Sequence, residues 1–250
     1  MKNIFLFMIT ISCSTLAQIT ITSSDIANQL SVGNTVTVHE LEAPATANIG
    51  ATGGGNNWDF STLQGNLEFV LTSVDPATTP HINDFSGANI ATYTLGYFDG
   101  EPGEIWHYAT LNGSYDNMGT AVVLVSQPGD VTMIKHNPAR REMEFPLTYN
   151  SSWSQTYTQT IYVNGISILV ADVLLGYVVD AYGTMILLGG ASFDALRLRE
   201  SMTIFGSNRV SYLFFTKSGA QVSLFTNDPN PPTNGTINLE GYSYSPLCLY

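Results

Sequence analysis

The chain has 250 residues, with 8 Lys and Arg against 20 Asp and Glu, a formal net charge of −12, 44% hydrophobic residues and 11% charged residues. This length fits one domain or at most two, and the apolar content supplies a core, which excludes an intrinsically disordered chain. The sequence holds no cluster of Lys and Arg, so a nucleic-acid partner is excluded as well.

The first residues have the pattern of a secretory leader. Met1-Lys2-Asn3 is a short positive start, Ile4 to Ile11 is an apolar stretch, and Thr15-Leu16-Ala17 places small residues before Gln18. This pattern predicts a signal peptide at residues 1–17, cleaved after Ala17, and an extracytoplasmic location: secreted, cell surface or periplasm.

A lipoprotein signal is the alternative leader, in which Cys13 would be acylated and would become the first mature residue. Thr10 stands where such a signal usually has Leu, which favours simple cleavage. No later segment reaches the roughly 18 to 20 uninterrupted apolar residues that a membrane span needs, so no membrane span is predicted.

Short runs rich in Val, Ile, Thr, Tyr and Phe alternate with Gly, Asn, Asp and Pro along the rest of the chain, which is typical of antiparallel all-β domains. The predicted strands are Ile19–Thr22, Thr35–Leu41, Leu67–Val74, Ala91–Phe98, Glu104–Leu111, Thr120–Ser126, Val131–Lys135, Glu142–Tyr149, Trp153–Val163, Ile166–Val179, Thr184–Leu188, Phe193–Phe205, Arg209–Thr216 and Ala220–Thr226. We therefore expect residues 18–250 to form a single all-β domain, an antiparallel β-sandwich or flattened barrel with minor helix.

Turn residues predict several hairpins. Asn164-Gly165 separates two strand runs and favours a type I′ turn, which needs positive φ at both central residues. Ser218-Gly219 and Gly189-Gly190 predict two further hairpins, and Gly183 is expected to turn the chain before Thr184–Leu188.

The remaining segments are predicted as one short helix and two long loops. Ser24-Asp25 is expected to cap a helical turn through Ile26–Leu30. Residues 43–57, rich in Gly and Asn, and the proline-containing residues 227–235 are expected to be loops, the second leading to a last strand at Thr236–Tyr244.

Side chains alternate along the predicted strand Phe193–Phe205. The apolar residues Leu196, Leu198, Met202 and Ile204 fall on one face, and Arg197 and Arg199 fall on the other. We expect the apolar face to point inward and both arginines to lie exposed in non-catalytic ion pairs. Glu200 interrupts the inward face.

No sequence motif for a cofactor or a metal ion is found. His39, His81, His107 and His136 form no ligand-spaced pair, so no cofactor is expected. Carboxylates that could act in a secreted hydrolase are Asp99, Glu101, Glu104, Glu142 and Glu144, although a solvated acidic surface is the favoured explanation for them.

The candidate ligand-binding residues are aromatic and acidic. Trp58, Trp106 and Trp153 supply flat rings of the kind on which sugars stack, and Asp99, Glu101 and Glu104 supply acceptors. They predict a carbohydrate or protein ligand. The alternative is that Trp58 and Trp153 fill the core. The sequence specifies no oligomeric state.

Several short motifs are shared with one group of proteins. They are Trp58-Asp59-Phe60-Ser61-Thr62-Leu63, the segment from Phe145-Pro146 to Trp153, Asp180-Ala181-Tyr182-Gly183-Thr184 and Phe193-Asp194-Ala195-Leu196-Arg197-Leu198. With them the chain resembles an uncharacterised β-rich domain of secreted Bacteroidota proteins. The resemblance implies a secreted or surface location, often through type IX secretion, without implying a reaction.

These observations predict a non-catalytic secreted or cell-surface binding module. A secreted carbohydrate-active hydrolase that uses Asp and Glu is one alternative, and a structural surface or adhesin component is another. An enzyme should show converging carboxylates of perturbed pKa in a deep cleft, whereas a binding module should show a shallow aromatic groove.

Overall fold

A computed structural model describes residues 18–41 and 44–245, and the backbone of 248–249. The predicted leader, its cleavage position after Ala17 and the alternative lipidation site at Cys13 lie outside these residues. The described elements are the helix α1 (Ser23–Gln29), two 3-10 turns (Pro76–Thr78 and Ile82–Phe85) and the strands β1 (Thr35–Leu41), β2 (Ala45–Asn48), β3 (Gly53–Asp59), β4 (Leu67–Val74), β5 (Ile90–Phe98), β6 (Glu101–Leu111), β7 (Ser114–Leu124), β8 (Thr132–Glu144), β9 (Ser152–Val163), β10 (Ile166–Ile186), β11 (Ser192–Ile204), β12 (Ser207–Thr216), β13 (Gln221–Thr226), β14 (Thr236–Leu239), β15 (Gly241–Ser245) and β16 (Cys248–Leu249).

Twelve of these strands form a closed antiparallel barrel. The order around the barrel is β11-β12-β13-β15-β1-β4-β5-β6-β7-β8-β9-β10, and the pairing of β10 with β11 closes it. The all-β antiparallel prediction is confirmed. Of the two predicted architectures the closed barrel is the one that forms, so each barrel strand has a partner on both sides.

Two-residue turns with positive φ connect three of the barrel hairpins. Asn164 and Gly165 have φ of 51° and 79°, which confirms the predicted hairpin between β9 and β10. Asp99-Gly100 and Phe205-Gly206 have the same pattern. The hairpins at Ser218-Gly219 and Gly189-Gly190 are also confirmed.

The prediction of a loop at residues 43–57 is wrong, because this segment contains β2 and β3. Strand β3 adds in parallel to the C-terminal part of β10, beyond the part that pairs with β9. Gly183 makes this approach possible, since a Cβ there would lie 2.2 Å from the carbonyl oxygen of Asn56. Gly183 is therefore an interior residue of the continuous strand β10, and the predicted turn at Gly183 is also wrong.

The last predicted strand, Thr236–Tyr244, is two strands. The backbone N–H of Glu240, which lies between β14 and β15, donates to the carbonyl of Phe225 at 3.0 Å. Strand β15 belongs to the barrel, whereas β14 pairs with β2 in a separate two-stranded ribbon. This ribbon, together with β3, covers part of the outer surface of the barrel, and we call it the outer layer.

Both faces of the barrel wall are buried where the outer layer covers it. The inner face contributes a cluster that includes Val173, Leu175, Leu196 and Leu198. The outer face contributes a second cluster, in which Trp58, Phe214 and Ile237 pack together with the outer layer. A third cluster packs the segment of the 3-10 turns against the outside of β6 and β7, around Phe85 and Tyr108.

Helix α1 lies across one end of the barrel, which we call the helix end. Its N-cap is Thr22, two residues before the predicted Ser24-Asp25 cap, and Asp25 completes a capping box. A bridge between Ile21 and Leu147 attaches the residues before the helix to the barrel. The Gln29 side chain donates to the Lys217 carbonyl at 3.1 Å, so both ends of the helix are fastened.

Candidate ligand-binding cavity in the barrel

A cavity of about 360 Å³ lies inside the barrel beneath α1. Its size is at the lower end of the range for small-molecule sites. Helix residues form the roof, and opposite walls of the barrel form the sides. The lining residues are Ile26, Gln29, Leu30, Leu71, Thr92, His107, Tyr115, Asn117, Arg140, Glu142, Met143, Tyr177, Leu198, Glu200, Leu213, Phe215, Thr216, Gly219, Ala220 and Gln221.

A polar cluster occupies one side of the cavity. It consists of Asn117, Arg140, Glu142, Tyr177 and Glu200, and we call it the lumen cluster. Arg140 Nη2 donates to Glu200 Oε2 at 2.7 Å and to the Tyr177 hydroxyl at 3.2 Å. Arg140 Nε lies 3.7 Å from Glu142 Oε1, which also accepts from Asn117 Nδ2 at 3.0 Å. One guanidinium thus serves two carboxylates, tightly at Glu200 and loosely at Glu142.

Strand register brings these side chains to the lumen. Glu200 shares the inner face of β11 with Leu196 and Leu198, because residues two apart in a strand point to the same side. Arg140 pairs with Asn117, and two irregularities in the β7–β8 register flank this pair. Bulges of this kind redirect side chains, and here Arg140, Glu142 and Met143 all line the cavity.

Two polar atoms of the lumen cluster are buried without a hydrogen bond. Asn117 Oδ1 accepts none, and Arg140 Nε donates none, among the residues that the structure describes. The carboxylate of Glu142 partly compensates the positive charge at Arg140 Nε, whereas no described donor compensates Asn117 Oδ1. A buried acceptor in this state costs roughly 1 to 3 kcal/mol.

Burial dominates the protonation of the lumen. It raises the pKa of Glu142, although the charge of Arg140 and the hydrogen bond from Asn117 oppose the rise. Burial also raises the pKa of Tyr177 and of Tyr115, with the nearby carboxylates adding to the effect. Both tyrosines therefore keep their hydroxyl protons at neutral pH, and the carboxylate of Glu142 is incompletely stabilised.

Two histidines on the inner side of the wall are held neutral. Burial lowers the pKa of His107 to about 4 and that of His136 to about 4. His107 Nδ1 lies 3.0 Å from Thr120 Oγ1, and His136 Nδ1 lies 3.2 Å from the Asn117 carbonyl. Neither histidine therefore adds a positive charge beside Arg140, Glu142 and Glu200 at neutral pH.

The other side of the cavity is apolar and aromatic. Leu198 is almost fully buried in the inner cluster, and Phe215 is 9% exposed. Leu213 packs against the same cluster and lines the cavity. The cavity thus offers one charged and one apolar side, the usual composition of a site for a small organic molecule.

The six candidate residues from the sequence lie in three separate places. Trp58 has no exposed surface, donates from Nε1 to the Ile49 carbonyl at 2.8 Å and packs edge-on against Phe214. Its ring is therefore enclosed under the outer layer and presents no face to a ligand. This position agrees with the core-filling alternative for Trp58.

Four of the candidates lie together at the β5–β6 hairpin. Asp99 is in the hairpin turn, with φ of 52°, and Glu101 accepts from Ser126 at 2.6 Å. Glu104 accepts from the Tyr93 hydroxyl at 3.3 Å, and Trp106 lies beneath Tyr93, only 9% exposed. They make a polar hairpin rather than an aromatic groove, because the Trp106 ring is covered.

Trp153 is the candidate nearest to the cavity. Its ring stacks on Tyr177 with 4.9 Å between the ring centroids, and its Nε1 donates to the Arg141 carbonyl. Trp153 therefore packs against a residue that lines the cavity, but it does not line the cavity itself. It belongs to the inner cluster as a half-buried member.

Sequence reasoning did not identify Arg140, Asn117 or Tyr177. The available signal was Glu200, whose position interrupts an inward-facing apolar pattern. Glu142 was among the candidate carboxylates, and the structure places it in the cavity. The structure leaves Glu144, two residues further along β8, exposed and outside the cavity lining.

A larger concavity, of about 420 Å³, lies outside the barrel along residues 75–89. Its polar side chains already serve the local backbone: Asp75 accepts from the Ala77 N–H, and Asn89 accepts from the Leu111 N–H. The lumen cavity is therefore the better candidate site, since it holds uncompensated polar atoms.

The chain matches no protein-family model, no curated protein and no solved structure. Within the described part of the chain, no helix combines the length and apolar character needed to cross a membrane. Residues 18–41 and 44–245 contain no group of three or more His, Cys, Asp and Glu arranged to hold a metal ion.

Proposed function

We propose that the protein is a secreted or cell-surface binding protein that holds a small, partly apolar molecule inside its barrel. The observation that carries this proposal is the cavity beneath α1, with the lumen cluster on one side and Leu198, Leu213 and Phe215 on the other. The extracytoplasmic location rests on the leader-like residues 1–17.

The packing of the barrel supports a ligand site over a purely structural interior. A structural core hydrogen-bonds the large majority of its buried polar groups, because an unpaired buried group destabilises the fold. In the lumen cluster, Asn117 Oδ1 and Arg140 Nε are buried without hydrogen bonds, and both residues line the cavity with other atoms of their side chains or backbone. Departures from full satisfaction are expected at functional sites.

Binding in the lumen is tested with N-phenyl-1-naphthylamine, a neutral dye whose fluorescence rises in apolar surroundings. We expect saturable enhancement that the Leu213→Trp variant abolishes, because the indole fills the cavity. Leu174→Trp is the matched control, since Leu174 is 54% exposed on the outer face of β10. Its dye binding should equal that of the wild type.

The two tryptophan variants separate a lumen site from surface adsorption. Equal loss in both variants, or in neither of them, would show that the dye binds elsewhere and would contradict the proposal. Circular dichroism and thermal melting of each variant establish that the barrel is folded when the dye titration is made.

A second candidate, a secreted hydrolase, is favoured by one observation: two carboxylates in one cavity, of which Glu142 has a raised pKa and Glu200 is held by Arg140. Two carboxyl groups with such different surroundings suit a general acid and its ionised partner. Turnover of nitrophenyl glycosides that is lost in both Glu142→Gln and Glu200→Gln would support it. Turnover that persists in both variants would reject it.

A further inference from the structure

The carboxylates of the lumen outnumber its cations. Arg140 is the single cationic side chain among the residues that line the cavity, and Glu142 and Glu200 face it. His107 and His136 add no charge at neutral pH, because burial lowers the pKa of each to about 4. The ionised lumen therefore carries an excess of one negative charge.

Glu142 is the carboxylate with room for another partner. Its contact with Arg140 is 3.7 Å long, whereas the Glu200 contact is 2.7 Å. The Glu142 side chain is 29% exposed, and the residue is part of the cavity lining. Glu200 is only 11% exposed, it already accepts a hydrogen bond from Arg140, and it lies close to Tyr177. A ligand group in the cavity thus meets Glu142 first.

Asn117 Oδ1 lies beside this carboxylate. The amide of Asn117 donates from Nδ2 to Glu142 Oε1 at 3.0 Å, so its own oxygen is only a few ångström from the carboxylate. That oxygen is buried and accepts no hydrogen bond from any described residue. Because Oδ1 has almost no accessible surface, the Asn117 amide positions the Glu142 carboxylate, and a positively charged N–H group in the cavity would bind to that carboxylate.

Aromatic rings complete the surroundings of the site. Tyr115, Tyr177 and Phe215 line the same cavity. The faces of aromatic rings attract ammonium groups, and carboxylates combined with aromatic rings are a recurrent way to bind them. The net charge of −12 on the whole chain favours the approach of a cation over that of an anion.

We infer that the lumen selects ligands that carry a protonated amine on a small apolar body, with the ammonium group at the Glu142 carboxylate. The apolar body packs against Leu198, Leu213 and Phe215. This inference rests on the proposed binding function and adds the chemical class of the ligand. The raised pKa of Glu142 agrees with it, since a nearby cation supplies the stabilisation that this carboxylate lacks.

The test compares three compounds that share one apolar body: phenethylamine, phenethyl alcohol and 3-phenylpropionate. Each competes with N-phenyl-1-naphthylamine at pH 8, and calorimetry measures the direct affinity. We expect the amine to bind at least about tenfold more tightly than the alcohol, in line with a charge-assisted hydrogen bond. The carboxylate should bind most weakly.

Substitution of the proposed partner sharpens the comparison. In Glu142→Gln the advantage of the amine over the alcohol should shrink to about twofold or less. Glu144→Gln is the matched control, because Glu144 is exposed on the same strand and does not line the cavity. This control should keep the preference for the amine.

The outcomes distinguish the inference from the function on which it rests. Equal affinities for amine and alcohol, a preference for the carboxylate, or failure of all three compounds to displace a dye that does bind in the lumen would each overturn the amine class and leave lumen binding intact. Absence of any lumen binding, by the dye and by the three compounds, would overturn both.

Discussion

Arg197 and Arg140 both form ion pairs in the barrel wall, and their hydrogen-bond networks differ in one respect. Arg197, on the outer face of β11, is fully buried, and each of its three nitrogens donates a hydrogen bond: to Asp180, to the Ile49 carbonyl and to the Thr233 carbonyl. Arg140, in the lumen, has one nitrogen without a hydrogen bond and a second carboxylate only at 3.7 Å. The first network is complete and the second is not.

This difference indicates that Arg197 stabilises the fold, whereas Arg140 belongs to a candidate binding site. Arg197 joins the barrel wall to the segment before β3 and to the loop before β14, so it fastens the outer layer. Its guanidinium also lies over the Tyr212 ring, at 5.5 Å from the centroid. Arg140 joins strands that already pair within the wall, and its cluster faces open space. We therefore expect changes at Arg197 to act on stability and changes in the lumen cluster to act mainly on binding.

The largest expected effect is that of Arg197→Ala. It removes the ion pair of Asp180 and the hydrogen bond to the Thr233 carbonyl, and it leaves the Ile49 carbonyl with Trp58 Nε1 as its remaining donor. The loss of one member of a buried pair typically costs about 3 to 5 kcal/mol. Denaturant melts should show this loss. Replacement of both members, in Arg197→Met with Asp180→Leu, should recover much of it. If the double variant is as unstable as the single one, hydrogen bonds to the carbonyls dominate, and the ion pair does not.

Arg140→Met should cost less, on the order of 2 kcal/mol, because the carboxylates that it leaves face a cavity that solvent can reach. The same change should alter ligand binding, whereas Arg197→Met should leave the ligand affinity of the folded fraction unchanged. A stability loss at Arg140 equal to that at Arg197 would contradict the distinction between the two networks.

The buried, neutral histidines are expected to make the free energy of unfolding depend on pH. The folded-state pKa of His107 is about 4 against an ordinary value of 6.5, so the unfolded chain binds a proton first as the pH falls. The contribution of neutral His107 to the free energy of unfolding is complete above pH 6.5 and is lost between pH 6.5 and about 4. His107→Asn should remove roughly 1 to 2 kcal/mol of that decline. An unchanged difference between the pH 7 and pH 4.5 melts in this variant would contradict the burial of His107.

Glu142→Gln is expected to have the smallest effect on stability, within about 1 kcal/mol. Because burial raises the folded-state pKa of Glu142, its contribution is complete below the ordinary pKa of 4.5 and is lost as the pH rises. The variant should therefore gain relative to the wild type between pH 4 and pH 8. A relative loss over that interval would mean that Arg140 stabilises the ionised carboxylate more than burial destabilises it.

The alternation along β11 shows which properties of a strand the sequence alone predicts. Leu196 and Leu198 do face inward, and Arg197 faces the other way with an acidic partner, as predicted. The prediction that Arg197 is exposed is wrong, since its exposure is 0%. The covering strands come from residues 45–59 and 236–239, far away in sequence, and a local pattern carries no information about such long-range packing.

The Gly- and Asn-rich segment was missed for a related reason. Strand β3 contains Gly53-Gly54-Gly55-Asn56-Asn57, which are poor strand formers, and its pairing with β10 depends on the missing side chain of Gly183. The strands and turns of the barrel were largely predictable, because they depend on neighbours in sequence. The lumen cluster was not, because β7, β8, β10 and β11 meet there only when the barrel closes.

Closure of the barrel also bears on self-association. Every strand of the closed ring pairs with two neighbours over at least part of its length, which leaves fewer backbone N–H and C=O groups as a template for another chain than an open sheet would. Strand β3 lies outside the ring, and its one partner among the described residues is β10. Its edge is made of three glycines and two asparagines, residues that resist recruitment of a further strand. The composition that hides β3 from sequence analysis thus also protects the folded protein against aggregation through that edge.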